Sequence, residues 1–249
     1  MERCSERLSG FERMAMPHRP IAVVVAMKRE VATLLIGIRG RQLNGVEFYE
    51  LPNAVIAIGG IGRVAAGRAA EGVVEQYSPS VLVSAGIAGA LTQDLKVGNV
   101  LRAREVVDAD SGVRFATQTG EATVVTVSSV SGSAEKQALA TRWGAAVVDM
   151  EASAVAAVAQ RYGAQFAALK SISDEVDFEM PPTGNFVNAT GKFDTLSFVM
   201  FLAIRPQWWG AVKHLNANSR IAAMNLSLEL QHLTMDGLKV TNEEKVLGA

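Results

Sequence analysis

Between Ala146 and Asp177 the chain reads AVVDMEASAVAAVAQRYGAQFAALKSISDEVD, and each of its two apolar runs ends in an acid. Ala146 to Val148 leads into Asp149, Met150 and Glu151, after which alanines and valines recur at helical spacing through Tyr162. That is the pattern of a strand, an acidic junction and a helix. Phe166 to Ile172 repeats the apolar run and closes in Ser173 and Asp174. In an open α/β sheet ligands sit beyond the carboxyl ends of the strands, so Glu151 and Asp174 are placed to share one cleft. Without a ligand, Glu151 complements a helix N-terminus and Asp174 caps the next turn, and those roles stand equally open at this point.

A chain of 249 residues with 49% hydrophobic content can bury a sizeable core, and it fits one large α/β domain better than two small ones. A net charge of -1 leaves no electrostatic footprint for nucleic acid or an anionic membrane. Cys4 is the only cysteine, which excludes an intrachain disulfide framework and suits a reducing compartment, so cytoplasm is the expectation. His18, His214 and His232 lack metal-ligand spacing, and no metal is expected. No apolar run reaches the roughly 18–20 residues of a membrane span. The first 18 residues mix arginines with Glu2, Glu6 and Glu12 and read as a disordered extension. Residues 19–235 then form the domain, and 236–249 a frayed tail.

Ile21 to Ala26 is a β-branched run of the kind found in a buried central strand, and Lys28 to Leu35 reads as a helix after it. Glu47 to Leu51 and Ala54 to Ile58 flank Pro52 and Asn53, a hairpin signal. Gly59, Gly60 and Gly62 open a helix whose Ile61, Val64, Ala65, Ala69, Val73 and Val74 share a face. Val81 to Ala85 is another buried strand, with Gly86 and Gly89 expected to turn the backbone beyond it. Val124 to Val127 and Ser133 to Thr141 add a strand and a helix. Helical runs follow at Phe193 to Ile204 and from Trp208 onward, where Trp208, Trp209 and Met224 read as core or interface.

Gly60, Gly62 and Ala65 form a G-x-G-x-x-A that superficially matches a dinucleotide fingerprint. The next strand runs into Ala85 and Gly86 rather than an acid for the ribose hydroxyls, and a hairpin precedes the motif where a βαβ start belongs. Small residues for close helix packing explain it better.

IAVVVAMKREV, AIGGIGRVAAG, VSAGIAGAL, VVDMEASAVA and SISDEVD, in this order, resemble the successive motifs of the nucleoside phosphorylase and nucleosidase superfamily, the purine and uridine phosphorylase family. The likeness covers Ile21 to about Asp177 and is greatest to the methylthioadenosine/S-adenosylhomocysteine nucleosidases. It implies a three-layer α/β/α fold with a mixed, twisted central sheet, a homodimer or higher homo-oligomer, and cleavage of a purine N-glycosidic bond without metal or organic cofactor. By the same likeness Glu151 would hold the ribose hydroxyls, with Met150 against the sugar. Asp174 would hydrogen-bond the purine and protonate N7 as the base departs, and Glu30 would deprotonate the attacking water. Ser173, Ala88 and Gly89 would border the substrate.

That chemistry is sound. Breaking C1′–N9 builds an oxocarbenium-like sugar and an anionic base, so a proton for the base and a carboxylate near the sugar both lower the barrier. Asp174 must be protonated to act as the acid, and burial is expected to keep it so.

The chain departs from the family pattern in three places. Ile87 stands where a serine is common, the segment between Asp110 and Val148 is short, and the family's base-stacking aromatic has no clear match. Ser128 to Lys136 offers hydroxyls and amides in its place, and Phe178 is a candidate to stack on the base. The tail FVNATGKFDTLSFVMFLAIRPQWWGAVKHL is similar to the hopanoid-associated phosphorylase branch, which implies a lipid-linked adenosine as an alternative substrate. Phosphate would be a co-substrate if the enzyme were a phosphorylase, with Gly62 and Arg63, and also Arg29 and Arg68, as candidate ligands. Glu30 favours water. A nucleoside-binding module without turnover is the non-enzymatic alternative.

Overall fold

A computed structural model describes residues 19–129, 132–179, 183–188 and 190–236. Its strands are β1 Ile21–Val25, β2 Arg41–Leu43, β3 Val46–Glu50, β4 Ala54–Ile58, β5 Val81–Ala90, β6 Val100–Asp108, β7 Arg114–Ala116, β8 Ala122–Thr126, β9 Val147–Asp149 and β10 Gln165–Asp174. The helices are α1 Arg63–Tyr77, α2 Ser133–Trp143, α3 Ala152–Tyr162, α4 Thr195–Ala203 and α5 Trp209–Asp236. All ten strands form one mixed sheet in the order β10-β6-β8-β9-β5-β1-β4-β3-β2, with β7 on β6. β10 also pairs with β5, so β10, β6, β8, β9 and β5 close on themselves. β1 lies parallel to both β4 and β5, the central position its apolar run implies.

Side chains alternate along a strand, so β1 serves both faces of the sheet. Ile21, Val23 and Val25 pack with Leu226, Leu230 and Leu233 of α5. Ala22 and Val24 pack with Ala66, Ala69 and Val73 of α1 and with Val155 and Val158 of α3. Helices on both faces make the three-layer α/β/α architecture. Each valine buried in this way contributes about 1.5–3 kcal/mol.

Several local expectations are corrected. Residues 28–35 hold one 3-10 turn, Lys28–Glu30, rather than an α-helix, because Glu30 bonds across to β5 and α5. Val64 is 74% exposed, and α1 buries Ala66 and Ala70 instead. β5 runs straight through Gly86 and Gly89 to Ala90 without a turn. Trp209 and Met224 are more than half exposed, which removes core and leaves interface from the reading given to them. Helix α5 continues through Asp236. The N-terminal extension 1–18 and the tail from 237 onward lie outside the described residues.

Candidate active site

β1 ends at Val25, and the 3-10 turn after it delivers Glu30, which is 2% exposed. Its Oε2 accepts the Met27 N–H at 2.8 Å and its Oε1 the Ile87 N–H at 3.1 Å. The Ser227 hydroxyl of α5 donates to the Glu30 carbonyl at 3.1 Å, fixing the turn from the opposite side. Burial pushes the Glu30 carboxyl above its usual range, against the pull of the two N–H groups and of Lys170 and Arg29.

Glu151 stands at the N-cap of α3, where β9 hands over to the helix. Its Oε1 accepts the Gly62 N–H at 2.8 Å. Burial, reinforced by the neighbouring Asp149, pushes its carboxyl up to about 7, with Lys170 and the Gly62 N–H working the other way. Asp149 is itself buried and bonded throughout. It accepts the Thr126 hydroxyl at 2.7 Å and the Ala152 N–H at 2.8 Å, and forms an ion pair with the Lys170 ammonium at 2.7 Å. Lys170 also donates to the Ser84 hydroxyl at 3.1 Å.

Asp174, 3% exposed, closes β10. The Ser173 hydroxyl donates to its Oδ1 at 2.7 Å, and the Lys136 ammonium to its Oδ2 at 2.6 Å. Lys136, from α2, is 1% exposed and donates a second bond to the Glu175 carbonyl at 2.7 Å. Across the pair lies Gly89, where a Cβ would stand 2.8 Å from Asp174 Oδ2 and 3.4 Å from Lys136 Cε. The surroundings of Asp174 therefore differ from the apolar burial expected of it: a lysine ammonium stands 2.6 Å from one carboxyl oxygen and a serine hydroxyl 2.7 Å from the other.

These groups border one cavity of about 890 Å³. Glu30, Met150, Glu151, Ser173 and Asp174 line it together with Ala88 and Gly89. A further wall comes from the C-terminal segment and is mostly apolar, with Phe193, Phe198, Leu202, Trp209, Val212 and Leu215 beside the polar Lys213, Asn216 and Ser219. Phe193 and Phe198 meet edge to face, with centroids 5.2 Å apart. Asp194 caps α4 by accepting the Ser197 N–H at 3.0 Å, and Gly191 accepts the Ile61 N–H at 2.8 Å, tying this wall to the glycine-rich loop before α1.

Four candidate residues, Phe178, Gly62, Arg63 and Arg68, lie elsewhere. Phe178 is half-buried but does not border the cavity, whose aromatics are Phe193, Phe198 and Trp209. Neither Gly62 nor Arg63 borders it either. The Gly62 N–H is taken by Glu151. The Arg63 guanidinium is bonded to Asp110 and to the Thr126 carbonyl at 2.7 Å, and stands 3.4 Å from Asp108. Arg68 donates to the Gly59 and Thr190 carbonyls. Arg29, exposed, does border the cavity. Lys136 and Lys170 were missed as partners of Asp174 and Asp149, since nothing local marks either lysine as buried.

Residues 20–128 and 116–195 match the model of the phosphorylase superfamily. The chain belongs to that superfamily. Among curated members of known name it is similar to the 5′-methylthioadenosine/S-adenosylhomocysteine nucleosidase of Aeromonas salmonicida (strain A449), 33% identical over 93 residues. That match spans 34% of this chain and 40% of the relative. The fold is shared with the corresponding nucleosidase of Helicobacter pylori, solved as a mutant with 5′-methylthioadenosine in the active site, at 19% identity and TM-score 0.63 over 87% of this chain and all of that one (100%). The nucleosidase of Colwellia psychrerythraea 34H, solved with adenine, superimposes with TM-score 0.64 at 18% identity over 87% and 96% of the two chains. Futalosine hydrolase of Helicobacter pylori strain 26695 gives 0.62 at 21% identity over 86% and 98%.

Proposed function

We propose that this member of the phosphorylase superfamily cleaves the N-glycosidic bond of an adenine nucleoside, with water as acceptor, releasing adenine and a 5-substituted ribose. The observation that carries this is the convergence of Glu30, Glu151 and Asp174, three carboxylates from three strand ends, on one cavity. Glu151 takes the ribose hydroxyls, with Met150 against the sugar. Asp174, oriented by Ser173, faces N7 of the base. Glu30, whose raised carboxyl makes it a stronger base than an ordinary carboxylate, removes the proton of the attacking water. Acid, base and electrostatic stabiliser are all side chains, so the chemistry calls for no metal or organic cofactor.

Water is favoured over phosphate by the commitments of the arginines. A phosphorylase clamps its anion with arginine or lysine and amide donors, and here Arg63 and Arg68 are engaged by carboxylates and carbonyls, which leaves Arg29 and Lys213 at the cavity edge as the candidates for an anion. A lipid-linked or otherwise apolar 5′ substituent is a second reading of the same site, favoured by the wall of Phe198, Leu202, Trp209 and Val212. Ligand pockets run from roughly 300 to 1,000 Å³, and this one lies toward the upper end, with room for more than a nucleoside. The assembly we infer is a cytoplasmic homodimer that covers the exposed Leu196 and Met200 of α4 and Ile204 just after it.

Adenine release from methylthioadenosine, adenosylhomocysteine and adenosine, with and without phosphate, tests the reading. Phosphate-independent release with free sugar is expected. Strict phosphate dependence would make the enzyme a phosphorylase. Release from none of these three but from an adenosine carrying a long 5′-alkyl chain would favour the lipid-linked reading, and binding without release would make it a nucleoside-binding module.

A further inference from the structure

Lys136 and Asp174 form the one buried ion pair among the described residues in which both partners border the cavity. The other buried pair, Lys170 with Asp149, differs: Lys170 is bonded to Ser84 and does not border the cavity. Lysine is almost never fully buried unless it is paired. Two of the three Lys136 N–H donors are taken by Asp174 Oδ2 and the Glu175 carbonyl. Gly89 supplies the room: any side chain there would reach the carboxylate oxygen and the lysine stem at once. The Lys136 ammonium thus lies within hydrogen-bond distance of the carboxyl that faces the departing base, and that base needs a proton.

Resting on the nucleosidase reading above, we propose that Lys136 is the proton source for the leaving base and acts through Asp174. As C1′–N9 breaks, its electron pair goes to the base. The Lys136 ammonium first passes a proton to the Asp174 carboxylate, and Asp174 then gives that one proton to N7. Adenine leaves neutral, Asp174 stays ionised and Lys136 becomes a neutral amine. The attacking water forms the C1′–O bond and gives its proton to Glu30. Release of that proton to solvent and uptake of one by the Lys136 amine restore the resting charges. Asp174 remains the catalytic residue, and Lys136 is a positioning residue that feeds it.

Two substitutions separate this from a plain counter-ion role. Lys136→Arg keeps a cation beside Asp174, but a guanidinium does not deprotonate in proteins. Lys136→Met removes the cation, leaving the proton to reside on a carboxyl. Each variant is checked by thermal melting and by methylthioadenosine KM, then assayed for adenine release across pH. For Lys136→Arg a near-native KM is expected, with kcat lower by about 10²–10⁴-fold, the worth of a general acid. In Lys136→Met the alkaline limb of the kcat profile moves to lower pH, since carboxyls ionise at lower pH than ammoniums. Near-native kcat in Lys136→Arg, or an unmoved alkaline limb in a folded Lys136→Met, would overturn the proposal while leaving the nucleosidase reading intact. No adenine release by the wild type would overturn both.

Discussion

The backbone N–H of Gly62 donates to Oε1 of Glu151 at 2.8 Å, joining residues 89 positions apart. Gly62 has φ +91°, a conformation that favours glycine, so the loop before α1 can aim this N–H at the carboxylate. The bond orients Glu151 and offsets part of the burial that lifts its carboxyl to about 7.

A pH dependence follows from that value. Below about 7 Glu151 is protonated and less able to accept from two ribose hydroxyls, so kcat/KM is expected to rise with pH through about 7 and then level. The stability effect has the opposite direction. The folded state holds this proton more tightly than the unfolded chain does, so the contribution is present at low pH and lost as pH rises from the ordinary carboxylate range through about 7. Melting temperatures between pH 5 and 8 should fall, and Glu151→Gln should flatten that slope and remove the kinetic inflection. Glu30, also raised, keeps part of the slope.

Asp174→Asn and Glu30→Gln are each expected to lower kcat by about 10²–10⁴-fold, the usual worth of a general acid or base. Asp174→Asn leaves the buried Lys136 ammonium without its carboxylate and is expected to lower the melting temperature as well, whereas Glu30→Gln keeps one of its two acceptors and should cost less, so activity is compared at a temperature where each variant is folded. Adenine release under substrate saturation checks this, and a variant retaining most of its kcat would remove that residue from its role.

Gly89→Ala is expected to lower kcat more than it lowers stability. The new Cβ would lie 2.8 Å from Asp174 Oδ2 and 3.1 Å from Val148 Cγ1, so the carboxylate must move away from the base-binding position. Misplacement by about 1 Å costs roughly a hundredfold in rate. Steady-state kinetics beside a melting curve separate the two effects.

Gly89 also shows where sequence reading stops. β1 is legible because β-branched and apolar residues run without interruption, β10 because Phe166 to Leu169 opens an apolar run that resumes at Ile172, and the β3–β4 hairpin because Pro52 and Asn53 fall between two strand-like runs. Local composition is sufficient there. Gly86 and Gly89 look like turn residues, yet they stay in β5 because the carboxylates of Glu30 and Asp174, far off in sequence, need the space. Residues 28–35 have helical composition, but bonds from Glu30 to Ile87 and Ser227 override it. Glu151 and Asp174 were visible because each follows an apolar run, and Glu30 only through the likeness of AMKREV to a family motif. Lys136 was not, since on α2 it looks like any solvated helix lysine and its partner lies 38 residues downstream.

Lys170→Met is expected to destabilise the fold by about 3–5 kcal/mol, the cost of stranding one member of a buried pair. Asp149 would keep its bonds from Thr126 and the Ala152 N–H but lose its cation. Combining Lys170→Met with Asp149→Asn removes the stranded charge and should recover much of the loss. Urea unfolding of the two variants measures this.

Trp209→Ala should separate the base and sugar end of the cavity from its apolar end. Trp209 borders the cavity and is held by a bond from its Nε1 to the Leu202 carbonyl at 2.8 Å. None of the carboxylates contacts it in the bonds described above, so its loss should weigh on the 5′ substituent rather than on the purine. For an adenosine with a long 5′-alkylthio chain KM is expected to rise about tenfold or more, the usual range for lost apolar pocket contacts. For adenosine itself the change should be smaller. Equal losses on both substrates would mean that this wall shapes the whole cavity rather than one end of it, and would count against an apolar 5′ substituent.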